Sequence, residues 1–138
     1  MSTTPAVIAV SGATPHVVTL EDHQGHHWLA DEPLEAGGGN KGPTPTRLLL
    51  SSLGACTAMT VGMYATRHSW PLKGVEVRLD LNPEGTPAGG GNDIRRTITL
   101  QGDLSPAQRE RLLEVANKCP IHRVLTGTIR IHSSLTPA

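Results

Sequence analysis

Apolar and polar residues alternate most regularly in the middle of the chain. From Val75 to Leu81 every second residue is apolar, and the charged residues Glu76, Arg78 and Asp80 lie between the apolar ones. A period of two is typical of a strand with one buried face. Ile94, Ile98 and Leu100 indicate a partner strand beyond a turn-rich stretch. The pattern therefore predicts a pair of neighbouring strands.

Shorter apolar runs predict further strands towards the two ends of the chain. Three of them, at residues 6–10, 16–20 and 25–30, lie in the N-terminal third and are separated by turn-forming residues. Residues 128–135 alternate again and place three apolar side chains on one side, Ile129, Ile131 and Leu135. A last strand is expected there.

Apolar residues at steps of three and four predict a long helix over residues 45–68. Thr44 is placed to cap this helix, and Pro45 takes its first position, where a missing N–H costs nothing. Residues three or four apart lie on the same side of a helix. One apolar face is therefore expected to contain Leu49, Leu53, Cys56, Met59 and Met63.

A second helix is predicted from Ser105 to about residue 118. Pro106 takes its first position, and Ser105 with Gln108 has the spacing of a capping box. Cys119-Pro120 then interrupts the helix, because proline disfavours helical geometry in the residue before it. A short helical turn is expected over residues 121–125. The order of elements predicts an α+β fold with helices packed on antiparallel sheet, and a chain of 138 residues predicts a single domain, 1–138.

Charge and apolar content argue against two classes of partner. Lys plus Arg and Asp plus Glu both number 12, so the chain lacks the basic excess typical of nucleic-acid binders. Uninterrupted apolar runs are far shorter than the ~20 residues that span a bilayer. The N-terminal residues have no basic leader, which favours a cytoplasmic protein.

The two cysteines are the first candidates for chemistry. Cys56 falls on the predicted apolar helix face, where an inert buried cysteine is the plain alternative. Cys119 precedes a proline that begins a helical turn, so its sulfur is expected near free backbone N–H groups, which stabilise a thiolate. A mere capping role is the alternative. His122 lies one turn further and would tune that thiolate or relay a proton, unless it is a surface histidine.

Two other clusters have plain alternatives. His23, His26 and His27 have the residue types of a zinc or nickel site, but neighbouring strand residues point to opposite faces. A solvated hairpin tip is favoured, and no metal is expected. Residues 37–42 are rich in glycine but lack the ending of a phosphate-binding loop. They are interpreted as a flexible loop that would border the entrance of a site.

Two segments together resemble the OsmC/Ohr family of osmotically inducible and organic hydroperoxide resistance proteins. Residues 42–58 include Gly42-Pro43-Thr44-Pro45 and a long helix that reaches Cys56 about three turns later. Residues 116–121, Ala-Asn-Lys-Cys-Pro-Ile, are similar to the second-cysteine motif of the family. The resemblance extends from about Trp28 to Leu135 and is closest to the OsmC-like branch.

The resemblance implies a fold, an assembly and a reaction. It implies antiparallel sheets packed on a long central helix in an intertwined homodimer, with two sites at the subunit interface. Cys56 would attack an organic hydroperoxide, and Cys119 would resolve the sulfenic acid as a disulfide that a dithiol reductant reopens. No cofactor is implied. Apolar surroundings of Cys56 would favour alkyl hydroperoxides over hydrogen peroxide.

The sequence departs from the peroxidase branches of the family at two positions. Those branches have a glutamate directly after the helix-opening proline, where this chain has Thr46, followed by Arg47. They also use an arginine from the N-terminal strands, and no arginine precedes Arg47 here. The candidate substitutes are Arg47, Arg67, Arg123 and Arg130. A non-catalytic protein that binds a small ligand, or a redox switch, is the alternative to a peroxidase.

Overall fold

The computed structural model describes residues 5–137. The chain divides between Ser51 and Ser52 into two compact units. All the sheets are antiparallel, and a long helix accompanies them. The predicted α+β class is therefore confirmed. A single domain over residues 1–138 stays a prediction.

The first unit contains a three-stranded meander. Its strands are β1 (Val7–Ser11), β2 (Val18–Asp22) and β3 (His27–Ala30), and they pair in the order β1-β2-β3. The three predicted strands are confirmed with small shifts. β2 begins two residues later than predicted because His16 has φ 70° and belongs to the preceding turn.

The glycine-rich loop of the first unit is fixed by one carboxylate. Asp31 is 1% exposed and accepts hydrogen bonds from the backbone N–H groups of Glu32, Gly39 and Lys41, at 2.7, 3.1 and 3.0 Å. The hydrogen bond from Lys41 contributes most to holding the pKa of Asp31 below its usual value, and the other two act in the same direction. The interpretation of a flexible loop missed this anchor, because the aspartate lies before the glycines in the sequence.

Helix α1 (Pro45–Arg67) begins as predicted. The hydroxyl of Thr44 accepts a hydrogen bond from the N–H of Arg47 at 3.2 Å, which confirms the predicted cap. From Ser52 onward the helix belongs to the second unit. There a Cβ built on Gly54 would lie 2.8 Å from the side chain of Leu79, so the missing side chain allows close packing against a strand.

The second unit builds the core on a hairpin and two further helices. Strands β4 (Leu72–Leu81) and β5 (Ile94–Gly102) pair along their length, as predicted. Helix α2 (Pro106–Ala116) has the predicted capping box between Ser105 and Gln108, and helix α3 (Pro120–Thr126) follows. The buried cluster contains Val61, Ala65, Leu104, Leu112 and Ala116.

The predicted apolar face of α1 coincides only in part with the face that packs within the unit, since Leu53 belongs to both. The buried residues are Leu53, Thr57, Val61 and Ala65. By contrast, Met59 is 67% exposed and Met63 is 62% exposed. The helix is apolar on more than one side, so helical spacing alone could not decide which side enters the core.

The predicted last strand is wrong within the described residues. Residues 128–137 have no regular secondary structure, and Ile131 and Leu135 are 85% and 99% exposed. A strand requires a neighbouring strand to satisfy its backbone groups. Within residues 5–137 this segment has none, despite its alternating pattern.

Helix α1 also has the length and apolar composition of a membrane-crossing segment. The expectation that the chain has no such segment rested on uninterrupted apolar runs and overlooked the whole helix. Length and composition are weak grounds for a span, because the core helix of a soluble protein has both. The absence of a membrane partner stays a prediction.

Candidate functional site

Cys119 lies where the sequence places it, at the start of a helical turn. It is the N-cap of α3, and its extended backbone follows from the proline after it. The sulfur accepts a hydrogen bond from the backbone N–H of His122 at 3.4 Å, and the residue is 0% exposed. The predicted approach of the sulfur to helix N–H groups is confirmed. Cys119 is a free thiol.

Cys56 is also a free thiol, and it is half-buried on α1. Its neighbour Thr57 is completely buried and donates its hydroxyl proton to the carbonyl of Leu53 at 2.6 Å. The half-burial of Cys56 contradicts the alternative of a fully buried core cysteine, and its reactivity stays a prediction. The pairing of Cys56 with Cys119 stays a prediction.

A single arginine lies between the elements that carry the two cysteines. Arg96 of β5 donates hydrogen bonds to the hydroxyl of Thr57 at 3.1 Å and to the side-chain oxygen of Asn117 at 2.7 Å. Its Nη2 also lies 3.2 Å from Nδ1 of His122, and its Nη1 lies 3.5 Å from the carbonyl of Ala116. Arg96 thus joins α1 to the end of α2 and to α3.

This contact determines the tautomer of His122. A guanidinium has only donors, so Nδ1 of His122 is the acceptor and the ring proton lies on Nε2. Burial, and secondly the positive charge of Arg96, lower the pKa of His122 below its usual 6.5. His122 is therefore a neutral ring with a fixed tautomer near pH 7.

A cavity of about 360 Å³ opens beside this cluster, within the second unit. This volume is at the lower end of the range of small-molecule sites. The cavity has an apolar part and a polar part. Its lining residues are Leu53, Asn92, Ile94, Arg96, Leu113, Asn117, His122, Leu125 and Thr126.

Sequence reasoning found Cys119 and His122 but missed Arg96 and Asn117. The sequence signal for Arg96 was its position in β5, two residues from Ile94 and two from Ile98. In the structure these three residues are half-buried, whereas Arg95 is exposed. An arginine in register with apolar residues points to the same face as they do. The four arginines considered instead are all exposed: Arg47, Arg67, Arg123 and Arg130.

The auxiliary residues at the start of α1 are exposed. Thr46 and Arg47 lie in the first turn of the helix, in the first unit. A role for either residue stays a prediction. The histidines of the β2–β3 turn form local pairs, His26 with Asp22 at 2.7 Å and His27 with Glu21 at 3.6 Å. Within residues 5–137, no group of three or more His, Cys, Asp or Glu side chains is arranged to hold a metal.

The family model of OsmC-like proteins matches residues 38–134, which is more than half of the chain. This range contains both cysteines, Arg96 and His122. No curated protein matches the chain.

Solved structures show the same fold at low identity. An OsmC-like protein from Mycoplasma pneumoniae is 21% identical, with a TM-score of 0.72 over 92% of this chain and 90% of that one. An organic hydroperoxide resistance protein OsmC from Legionella pneumophila is 22% identical, with a TM-score of 0.63 over 92% and 91%. One from Elizabethkingia anophelis is 16% identical, with a TM-score of 0.63 over 92% and 91%.

Proposed function

Since this chain belongs to the OsmC-like protein family, we propose that it is a thiol-dependent peroxidase that reduces organic hydroperoxides through Cys56 and Cys119. One observation carries the proposal. Arg96 bonds Thr57, the residue directly after Cys56, and it also contacts His122, whose N–H bonds the Cys119 sulfur. A single cation is thereby coupled to the surroundings of both thiols.

The proposed reaction begins at Cys56, the more accessible of the two thiols. Its thiolate attacks the outer oxygen of the hydroperoxide, the O–O bond breaks, and the alcohol leaves with a proton. Cys56 becomes a sulfenic acid. The Cys119 sulfur then attacks the Cys56 sulfur, water leaves, and a disulfide forms. A dithiol reductant restores both thiols by exchange and is itself oxidised to a disulfide.

The cavity supports an organic rather than an inorganic peroxide. Four of its lining side chains are apolar, namely Leu53, Ile94, Leu113 and Leu125. Apolar surface gains from covering an alkyl or aryl group and gains nothing from hydrogen peroxide. Cys56 does not itself line the cavity, but Leu53 does and lies about one helical turn before Cys56, which relates the cavity to the helix that carries the attacking thiol.

We also propose a homodimer in the cytoplasm, and two exposed surfaces support the dimer. The first is the exposed side of α1, here called its open side, where Met59 and Met63 border an apolar groove. A Cβ added to Gly62 on this side would meet no atom within 4 Å. The second is the alternating segment of residues 128–135. Both would be buried against a second copy, since large exposed apolar patches mark interaction surfaces.

The proposal is tested by peroxide consumption with purified protein. Cumene hydroperoxide and hydrogen peroxide are compared, with dithiothreitol or dihydrolipoamide as reductant, beside the Cys56→Ser variant. We expect faster consumption of the organic peroxide by the wild-type protein and loss of that activity in the variant. Peroxide consumption no faster than with free dithiol alone would contradict the proposed peroxidase activity. It would favour the second candidate, a protein that binds a small ligand in the cavity without turnover.

A further inference from the structure

The thiol of Cys119 is shielded by the helix that it caps. The residue is 0% exposed, and its sulfur accepts a hydrogen bond from the backbone N–H of His122 at 3.4 Å. The first turn of α3 therefore forms part of the cover over the sulfur. A thiol exchanges with a disulfide only when the other sulfur can reach it. A reagent in solution can reach Cys119 only after this cover moves.

Helix α3 has little packing of its own. None of its seven residues is buried, whereas α2 buries Leu112, Val115 and Ala116. Residues 128–137, which follow α3, have no regular secondary structure. Segments with few buried side chains open locally while the core of a protein stays folded. Movement of α3 alone therefore costs less free energy than unfolding of the unit.

One polar contact connects α3 to the other elements of the unit. Nη2 of Arg96 lies 3.2 Å from Nδ1 of His122, and the same guanidinium donates hydrogen bonds to Thr57 of α1 and to Asn117 at the end of α2. Within residues 5–137, the other hydrogen bonds of α3 stay inside the helix or join it to Cys119 and Gly127. Arg96 therefore holds this helix in place.

The contact between Arg96 and His122 exists only while the ring is neutral. A guanidinium has donors only, and a protonated imidazole has an N–H on both nitrogens, so the two cations would face each other donor to donor. Among residues 5–137, the charged or titratable groups bonded to His122 are Arg96 of β5 and Cys119 of its own helix. Thr57 and Asn117, which share the guanidinium, are neutral. The cavity lining has no carboxylate to compensate a second positive charge.

We propose that α3 is a lid over the Cys119 thiol, that Arg96 is the positioning residue that holds it closed, and that protonation of His122 opens it. Once the ring is protonated, the two cations repel and the first turn of α3 moves off the sulfur. Burial and the charge of Arg96 lower the pKa of His122, so the lid opens as the pH falls below 6.5. The inference deepens the proposed function, on which its meaning for catalysis rests, because it controls access to the second thiol.

Labelling of Cys119 at several pH values tests the lid without any peroxide. In Cys56→Ser, Cys119 is the remaining cysteine of the chain. Dithiodipyridine reacts with thiols in acid as well as near neutrality, and the released thiopyridone is measured by absorbance. Each rate is divided by that of a peptide of residues 116–127, whose thiol is uncovered, at the same pH. We expect this ratio to rise about tenfold between about pH 7.5 and about pH 5.5, one unit below 6.5.

Two substitutions at the contact, each made in Cys56→Ser, should have opposite effects. Arg96→Gln removes the cation, so the ratio should already be high at neutral pH and change little with acid. His122→Gln offers Arg96 a neutral oxygen at every pH, so the ratio should stay low throughout. Arg95→Gln is the matched control, since Arg95 is exposed and pairs with Glu84 at the surface. It should follow Cys56→Ser alone.

Three results of the labelling would overturn the lid. They are a ratio that does not change with pH in Cys56→Ser, a rise with acid that persists in His122→Gln, and an unchanged ratio at neutral pH in Arg96→Gln.

Hydrogen exchange, followed by mass spectrometry, shows whether the movement is confined to α3. At acid pH, after correction for the intrinsic exchange rate, residues 120–126 should lose protection while residues 106–116 keep theirs. The same confined loss is expected in Arg96→Gln at neutral pH. Equal loss of protection in both segments would mean unfolding of the unit and would contradict a lid.

Cumene hydroperoxide consumption by the wild-type protein separates this inference from the proposed function. Turnover together with labelling that does not depend on pH contradicts the lid alone. Labelling that depends on His122, without any turnover, supports the lid and contradicts the peroxidase.

Discussion

Nη2 of Arg96 lies 3.2 Å from the ring nitrogen Nδ1 of His122, and the backbone N–H of the same histidine donates a hydrogen bond to the sulfur of Cys119. The arginine cannot accept a proton from the ring or give one up near pH 7. Burial, and secondly the positive charge of Arg96, lower the pKa of His122 and keep the ring neutral near pH 7, and the contact with Arg96 leaves the remaining ring proton on Nε2.

Removal of Arg96 should change the titration of His122. Burial and the positive charge of Arg96 both lower the pKa of His122, so Arg96→Gln removes the second cause and leaves the first. We expect the pKa of His122 to rise in Arg96→Gln and to stay unchanged in Arg95→Gln. Nuclear magnetic resonance of the imidazole carbons, titrated with acid, measures both. An unchanged pKa in Arg96→Gln would contradict the contact.

The lowered pKa of His122 also makes stability depend on pH. Well above pH 6.5 the ring is neutral in the folded and unfolded chains, and it contributes no pH dependence there. As the pH falls below 6.5, the unfolded chain binds a proton that the folded chain refuses, so the free energy of unfolding decreases. Urea unfolding of the wild type should show a steeper loss than that of His122→Gln. Parallel curves for the two proteins would refute this assignment.

Thr57 should be needed for its hydroxyl and not only for its volume. The buried hydroxyl accepts a hydrogen bond from Arg96, and Thr57→Val keeps the shape but removes the acceptor. We expect Thr57→Val to lower the free energy of unfolding by roughly 1–3 kcal/mol. Thr57→Ser keeps the hydroxyl and should lose only about 0.8 kcal/mol for one buried carbon group. Equal stability of Thr57→Val and the wild type in urea unfolding would count against the cluster.

A charge on the open side of α1 should separate the proposed dimer. Met63 is 62% exposed and borders the apolar groove of that helix. A glutamate there would lose its hydration in a dimer, at a cost that favours the monomer. Light scattering after size exclusion should give a dimer mass for the wild type and a monomer mass for Met63→Glu. Leu34→Glu, at a residue 72% exposed in the first unit, is the control and should stay dimeric.

Local patterns predicted most of the fold. The period of two in β4 and β5, the capping box at Ser105 and the proline after Cys119 are each determined by neighbouring residues, and each is confirmed. By contrast, neighbouring residues do not determine which side of α1 enters the core. It depends on which elements pack against the helix, and the sequence of an all-round apolar helix does not contain that information.

The site was only partly predictable for the same reason. Cys119 and His122 are three residues apart, so their contact follows from one helical turn. Arg96 meets Thr57 and His122 from positions 39 and 26 residues away in the sequence. Such contacts depend on tertiary packing. The segment of residues 128–135 has the pattern of a strand, but pairing requires an edge that the pattern itself does not supply.

The most direct test of the account is a single turnover at the two cysteines. One equivalent of cumene hydroperoxide is added to the reduced protein without reductant, and the product is digested and analysed by mass spectrometry. The account predicts loss of two hydrogen atoms from the chain and a peptide pair linked by Cys56 and Cys119, with a sulfenic acid at Cys56 in Cys119→Ser. Unchanged thiols in the wild type, or oxidation that persists in Cys56→Ser, would contradict it.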